Sequence, residues 1–233
     1  MELKGRLGLI AAKVPKCRTV CDIGTDHAYI PIYLVRKGIC REAIASDVRK
    51  GPIMAAEENI ERFGLEAYVK TRLGDGLKTI SEDEIDVIII AGMGGELIKN
   101  ILAESYSKAQ AATAIILQPM NSHEILRGWL YGNGFEIYDE EMVSEGRKIY
   151  TVMSARWTGA EGLSMEDINL HIGQKLIEKK DPLLKPYIAN KLMFMDRAIT
   201  ELQKSGEKNQ NVLKRYIRLR EDFEKVVCML DGK

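Results

Sequence analysis

Short apolar runs alternate with amphipathic stretches over the first two-thirds of the chain, and this alternation predicts a parallel sheet covered by helices. Leu3, Leu7, Ile10 and Val14 share one helical face and predict an opening helix. "TVCDIG" then reads as a first strand, and "AYIPIYLVRKG" as a helix closed by Gly38. "EAIASDV" reads as a second strand. "GPIMAAEENIERFG" reads as a helix with Pro52 near its start and Gly64 past its end. Strands three, four and five are expected in "AYVKTRLGDG", "IDVIIIAGMGG" and "ATAIILQP". After a helix around "HEILRGWLYGNG", the runs "FEIYDEEMV" and "KIYTVMSARW" are separated only by "SEGR". A parallel crossover needs a dozen residues or more, so these two predict an antiparallel hairpin at the sheet edge.

Beyond Trp157 the strand pattern stops. "TGAEGLS" reads as a linker, and Ser164 with Asp167 has capping-box spacing. Leu184, Ile188, Leu192, Met195, Ile199 and Leu202 form one apolar stripe. Val212, Tyr216, Leu219, Phe223, Val226 and Leu230 form another. Two stripes joined across "KSGEKNQN" predict an antiparallel helical hairpin with a coiled-coil-like seam. The expected division is a Rossmann-like α/β domain over residues 1–158 and a helical domain over 159–233.

At 233 residues and 45% hydrophobic content, the chain can bury one sizeable α/β core with an appendage. Net charge is zero, so a nucleic-acid partner has to be argued from local patches. Residues 1–20 carry Lys4, Arg6, Lys13, Lys16 and Arg18 against Glu2 alone, and "LKRYIRLR" places Lys214, Arg215, Arg218 and Arg220 on about two helical turns. Either patch also suits an ordinary solvated face. The four cysteines form no C-x-x-C pair and the three histidines are scattered, so neither a zinc site nor a disulfide framework is expected. Charge interrupts the first residues too often for a signal peptide, and "VIIIAGM" is too short to span a bilayer. The expectation is a cytoplasmic protein with no membrane or metal partner, and a monomer, although the stripes also suit pairing between chains.

Ligands of open parallel sheets bind at the carboxyl ends of the strands. Those ends read Asp22-Ile23-Gly24, Asp47, Gly74-Asp75-Gly76, Gly92-Met93-Gly94-Gly95 and Gln118-Pro119, with acids and glycines but no lysine or arginine. A phosphate-binding loop would carry the opposite charge, and the Walker pattern is absent. Asp47 lies about twenty residues beyond Gly24, where an acid can accept both ribose hydroxyls. Asp75 is placed to accept from an adenine amino group. Asp22 ends a buried strand, where a carboxylate needs hydrogen bonds or a cation. A sulfonium ligand with an amino-acid tail, S-adenosylmethionine, fits these three acids. A nicotinamide dinucleotide fits less well, because "GTDHA" lacks the later glycines that let backbone approach a pyrophosphate.

"DIGTDHAYIPIYL", "GDGL", "AGMGGELI" and "ILQP", followed by the helical tail, resemble the bacterial tRNA (adenine-22-N1)-methyltransferase family. The resemblance implies a Rossmann-like domain using S-adenosylmethionine, tRNA as substrate, and a C-terminal coiled-coil domain that helps hold it. The candidate cofactor-binding set is Asp22, Gly24, His27, Asp47, Asp75, Gly76, Gly92, Met93 and Gly94. Asp26 and Tyr29 are the candidate catalytic residues, one to stabilise charge on the purine and the other to stack on an extruded base. Arg6, Lys214, Arg215 and Arg218 are the candidate tRNA contacts. Structural roles remain open beside these: Asp26 as a helix cap, His27 as a structural donor, Tyr29 as core, and the glycine run as close packing. A nicotinamide-dependent oxidoreductase and a non-catalytic RNA-binding module are the alternative functions.

Overall fold

The computed structural model describes residues 1–160, 165–204 and 209–232. The chain divides into two compact units, Met1–Ser164 and Met165–Lys233. The first holds a seven-stranded sheet: β1 (Cys17–Ile23), β2 (Cys40–Asp47), β3 (Val69–Leu73), β4 (Val87–Met93), β5 (Ala114–Pro119), β6 (Phe135–Glu145) and β7 (Lys148–Trp157), in the order β3-β2-β1-β4-β5-β7-β6. The first five run parallel; β7 pairs antiparallel with both β5 and β6. The expected edge hairpin is thus present, with β6 outermost.

Parallel strands covered on both faces need apolar residues at consecutive positions. Val87, Ile88, Ile89 and Ile90 of β4 are all completely buried, as are Ile115, Ile116 and Leu117 of β5. The helices are α1 (Gly5–Lys13), α2 (Tyr29–Arg36), α3 (Lys50–Arg62), α4 (Gly95–Glu104), α5 (Tyr106–Ala111) and α6 (His123–Gly132). Helices α2 and α3 close as expected, at Gly38 and Gly64. The amide of Ile39 bonds to the Leu34 carbonyl and that of Leu65 to the Ile60 carbonyl, which satisfies carbonyls left over at the helix end. The pair α4 and α5 was not anticipated, because "GMGG" reads as loop and Ser105 interrupts the apolar spacing.

Helix α1 is fastened to the outermost strand. Lys13 pairs with Asp139 at 2.8 Å and with Glu141, and the Arg6 amide donates to Glu145 at 2.6 Å. Between α6 and β6 lies an ion pair with both side chains fully buried, Arg127 Nη2 to Glu140 Oε1 at 2.8 Å.

The second unit contains α7 (Asp167–Ile172), α8 (Gln174–Glu178), α9 (Leu184–Lys204) and α10 (Gln210–Leu230). Lys185 near the start of α9 contacts Asp231 just past α10, and Asp196 meets Arg220 at 2.7 Å, so α9 and α10 run antiparallel. Leu184, Ile188 and Met195 of α9 and Leu219, Phe223 and Val226 of α10 are buried, whereas Val212 of the expected stripe is exposed. Ser164 lies outside the described residues, and α7 begins at Asp167 after Glu166. Among the described residues no helix is long and apolar enough to cross a membrane.

Candidate functional site

The strand order reverses at β1, which lies between β2 and β4, and the crevice outside its carboxyl end is where a parallel sheet takes its ligand. The turn leaving β1 is pinned to β2, since the Gly24 and Thr25 amides both donate to the Ser46 carbonyl, at 2.7 and 2.9 Å. Gly24 adopts φ +78°, a left-handed conformation that side chains disfavour. Asp22 sits behind this turn, 6% exposed. Burial pushes its acid up to about 6, and a hydrogen bond with Thr25 pulls the other way. A carboxyl group in that position is ready to meet a cationic ligand group.

Asp47 at the end of β2 is also buried. Its Oδ1 accepts from the Arg49 amide at 2.7 Å, and Arg49 Nε lies 3.4 Å away. Asp75 stands farther out, on the turn that includes Gly76, and is paired with Lys78 at 2.5 Å; Lys78 also holds Glu104 at 2.8 Å. Two apolar side chains that sequence reading missed flank Asp47. Val48 follows it, Leu73 is its partner on β3, and they are 64% and 48% exposed. Exposed apolar groups beside a buried acid suit the two faces of a purine.

The glycine run after β4 is packed more closely than the sequence suggests. A β-carbon on Gly95 would lie 2.4 Å from the Ser122 carbonyl oxygen, and one on Gly94 2.9 Å from Asn121 Oδ1. Close packing therefore accounts for both. Gly92, at φ +76°, would place a β-carbon 3.1 Å from Arg6 Nη1. The Gly92 amide and that Nη1 share one acceptor, Gln118 Oε1, at 3.2 and 2.7 Å. Met93 reaches back over Gly24.

Asp26, His27 and Tyr29 form the outer lip. Helix α2 is preceded by Ala28, whose amide donates to Thr25 Oγ1 at 3.2 Å, so Asp26 caps nothing. Its side chain is 76% exposed, with Oδ2 3.5 Å from His27 Nε2. The His27 and Tyr29 rings stack with centroids 5.1 Å apart. Tyr29 is 38% exposed, which removes the core reading.

Among the described residues three cations thus enter the strand ends, Arg6 from α1, Arg49 from the turn after β2, and Lys78 from the turn after β3. Reading the strand ends alone had found none. In the helical unit, Lys214, Arg215 and Arg218 line a cavity of about 720 Å³ together with Asp167, Asp222 and Leu219. Arg215 pairs with Asp167 at 3.1 Å, so the basic face is partly neutralised within the unit.

Residues 3–153 match the family model described as a methyltransferase domain. The chain is 35% identical to the tRNA (adenine(22)-N(1))-methyltransferase of Bacillus subtilis, over 87% of this chain and 82% of the relative. The crystal structure of the B. subtilis m1A22 tRNA methyltransferase TrmK superposes with a TM-score of 0.87 at 30% identity, covering 97% of this chain and 99% of that one. Sp1610 from Streptococcus pneumoniae, solved in complex with S-adenosyl-L-methionine, gives 0.80 at 32% identity, covering 96% and 99%. With the domain model spanning more than half of its length and similarity to the B. subtilis enzyme across most of both sequences, the chain belongs to the tRNA (adenine(22)-N1)-methyltransferase family.

Proposed function

We propose that the protein transfers a methyl group from S-adenosylmethionine to N1 of adenine 22 in the D-arm of tRNA. The observation that carries the cofactor reading is Asp22, a buried acid raised to about 6 at the switch point of the sheet. That donor set fits a cationic, pyrophosphate-free nucleoside better than a dinucleotide. Asp22 would take the ammonium of the amino-acid tail, Asp47 the ribose hydroxyls, and Val48 and Leu73 the purine faces. Gly24, Gly92, Gly94 and Met93 would form the floor, with His27, Asp75 and Gly76 at the rim.

The bound cofactor supplies an electrophilic methyl group; the protein's part is alignment. Adenine N1 already carries an in-plane lone pair, so the chain need provide no general base. It has to hold the base in line and keep water out. The product is cationic, and Asp26 at the lip would stabilise charge developing on the purine. Tyr29, stacked on His27, would hold the extruded base. Lys214, Arg215 and Arg218 would contact tRNA phosphates from a helical domain over residues 159–233, and residues 1–158 would form the catalytic domain. We place the protein in the cytoplasm, as a monomer.

Reverse transcription of tRNA incubated with the protein and S-adenosylmethionine tests this. A new stop at a single D-arm adenine is expected, absent without the cofactor. No stop, or stops elsewhere, would refute the assignment.

A further inference from the structure

Of the three cations at the strand ends, Arg49 is matched by Asp47, and Lys78 by Asp75 and Glu104. The Arg6 guanidinium has neutral partners. Its guanidinium donates to the Gln118 side-chain oxygen at 2.7 Å and lies over the Tyr150 ring, 5.5 Å from the centroid. Among the described residues it forms no ion pair, and Glu145 is engaged by the Arg6 main-chain amide instead. Gln118 is completely buried and shares its oxygen with the Gly92 amide. The guanidinium is therefore anchored at the floor of the crevice beside β4. A half-buried cation with neutral partners keeps much of its desolvation cost. A guanidinium also carries five donors in a planar fork suited to an oxyanion, and these contacts leave most of them unused.

We infer that Arg6 binds the α-carboxylate of the S-adenosylmethionine amino-acid tail, with Gln118 and Tyr150 as the positioning residues that aim it. The inference rests on the cofactor reading above. The tail is a zwitterion, and the crevice offers both complements: the Asp22 acid on β1 and the Arg6 cation beside the adjacent β4. A tRNA phosphate is the competing oxyanion. Anchorage on a fully buried glutamine at the floor favours the small molecule.

Calorimetry with two ligands tests the assignment. S-adenosylhomocysteine carries the tail, and 5′-methylthioadenosine keeps the nucleoside and thioether without it. Arg6→Ala should weaken S-adenosylhomocysteine binding roughly ten- to a hundredfold and leave 5′-methylthioadenosine unchanged. Arg6→Lys should fall between parent and Arg6→Ala. Gln118→Leu should show a smaller loss with the same dependence on the tail. Unchanged S-adenosylhomocysteine affinity in Arg6→Ala, with a raised KM for tRNA, would overturn the inference and assign Arg6 to a phosphate. Equal loss for both ligands would overturn it as damage to the fold. A parent protein that binds neither ligand would overturn the cofactor reading itself, and this inference with it.

Discussion

The Met93 thioether methyl occupies the space that a β-carbon on Gly24 would need, 2.0 Å from its ideal position. The turn after β1 and the end of β4 meet this closely only because residue 24 has no side chain. Gly24→Ala should cost about 1–2 kcal/mol from the left-handed backbone alone, and should also weaken S-adenosylhomocysteine binding. Adding Met93→Ala should restore part of the affinity but not the backbone cost. Urea denaturation and calorimetry on the single and double variants separate the two effects. Equal affinity in both variants would rule out the steric explanation.

The Asp22 acid gives opposite pH trends for folding and binding. Its folded value of about 6 exceeds the ordinary 3.8, so the folded state holds this proton more tightly than the unfolded chain does. Its contribution to stability is complete below about 4 and is lost as pH rises through about 6. Binding of the cationic tail needs the ionised form, so S-adenosylhomocysteine affinity should fall by up to tenfold per pH unit as pH drops below about 6. Asp22→Asn should flatten both profiles. A parent binding curve that is level between pH 5 and 7 would contradict the role of Asp22.

Arg127 and Glu140 test stability away from the crevice. Arg127→Ala or Glu140→Ala breaks this buried ion pair and should cost about 3–5 kcal/mol. Replacing both, as Arg127→Met with Glu140→Leu, should recover most of that. Denaturant midpoints give the answer, and cofactor affinity measured well below the transition should stay at the parent value.

In the helical unit, Lys214→Ala and Arg218→Ala should weaken tRNA binding and each lower the salt slope by about 1. Arg215→Ala should do less, because Asp167 already neutralises that charge. Filter binding over a range of salt concentrations measures the slopes. Slopes that do not move would mark this surface as merely solvated.

The sheet was legible because strands buried on both faces are uninterrupted apolar runs, as in Ile88, Ile89 and Ile90. The hairpin was legible because four residues cannot make a crossover. Candidate site residues such as Asp22, Gly24 and Asp47 could be proposed from their places at strand ends, which the structure keeps. What stayed hidden depends on distant segments meeting. Arg6 reaches Gln118 across 112 positions, Met93 covers Gly24, and Asn121 packs against Gly94. No local pattern encodes such closures. Val48 and Leu73 were missed for a different reason, since an exposed apolar residue at a strand end is written with the same letters as a core residue.

The fastening of α1 to β6 has a consequence for biosynthesis. The helix that carries Arg6 leaves the ribosome well before its anchors, Asp139, Glu141, Glu145 and Tyr150, which are translated more than a hundred residues later. A nascent chain halted before β6 would possess all five parallel strands while the helix that carries Arg6 still lacked these tethers. Seating of the helix that carries Arg6 is therefore a late event in the making of this unit, set by the arrival of its final hairpin.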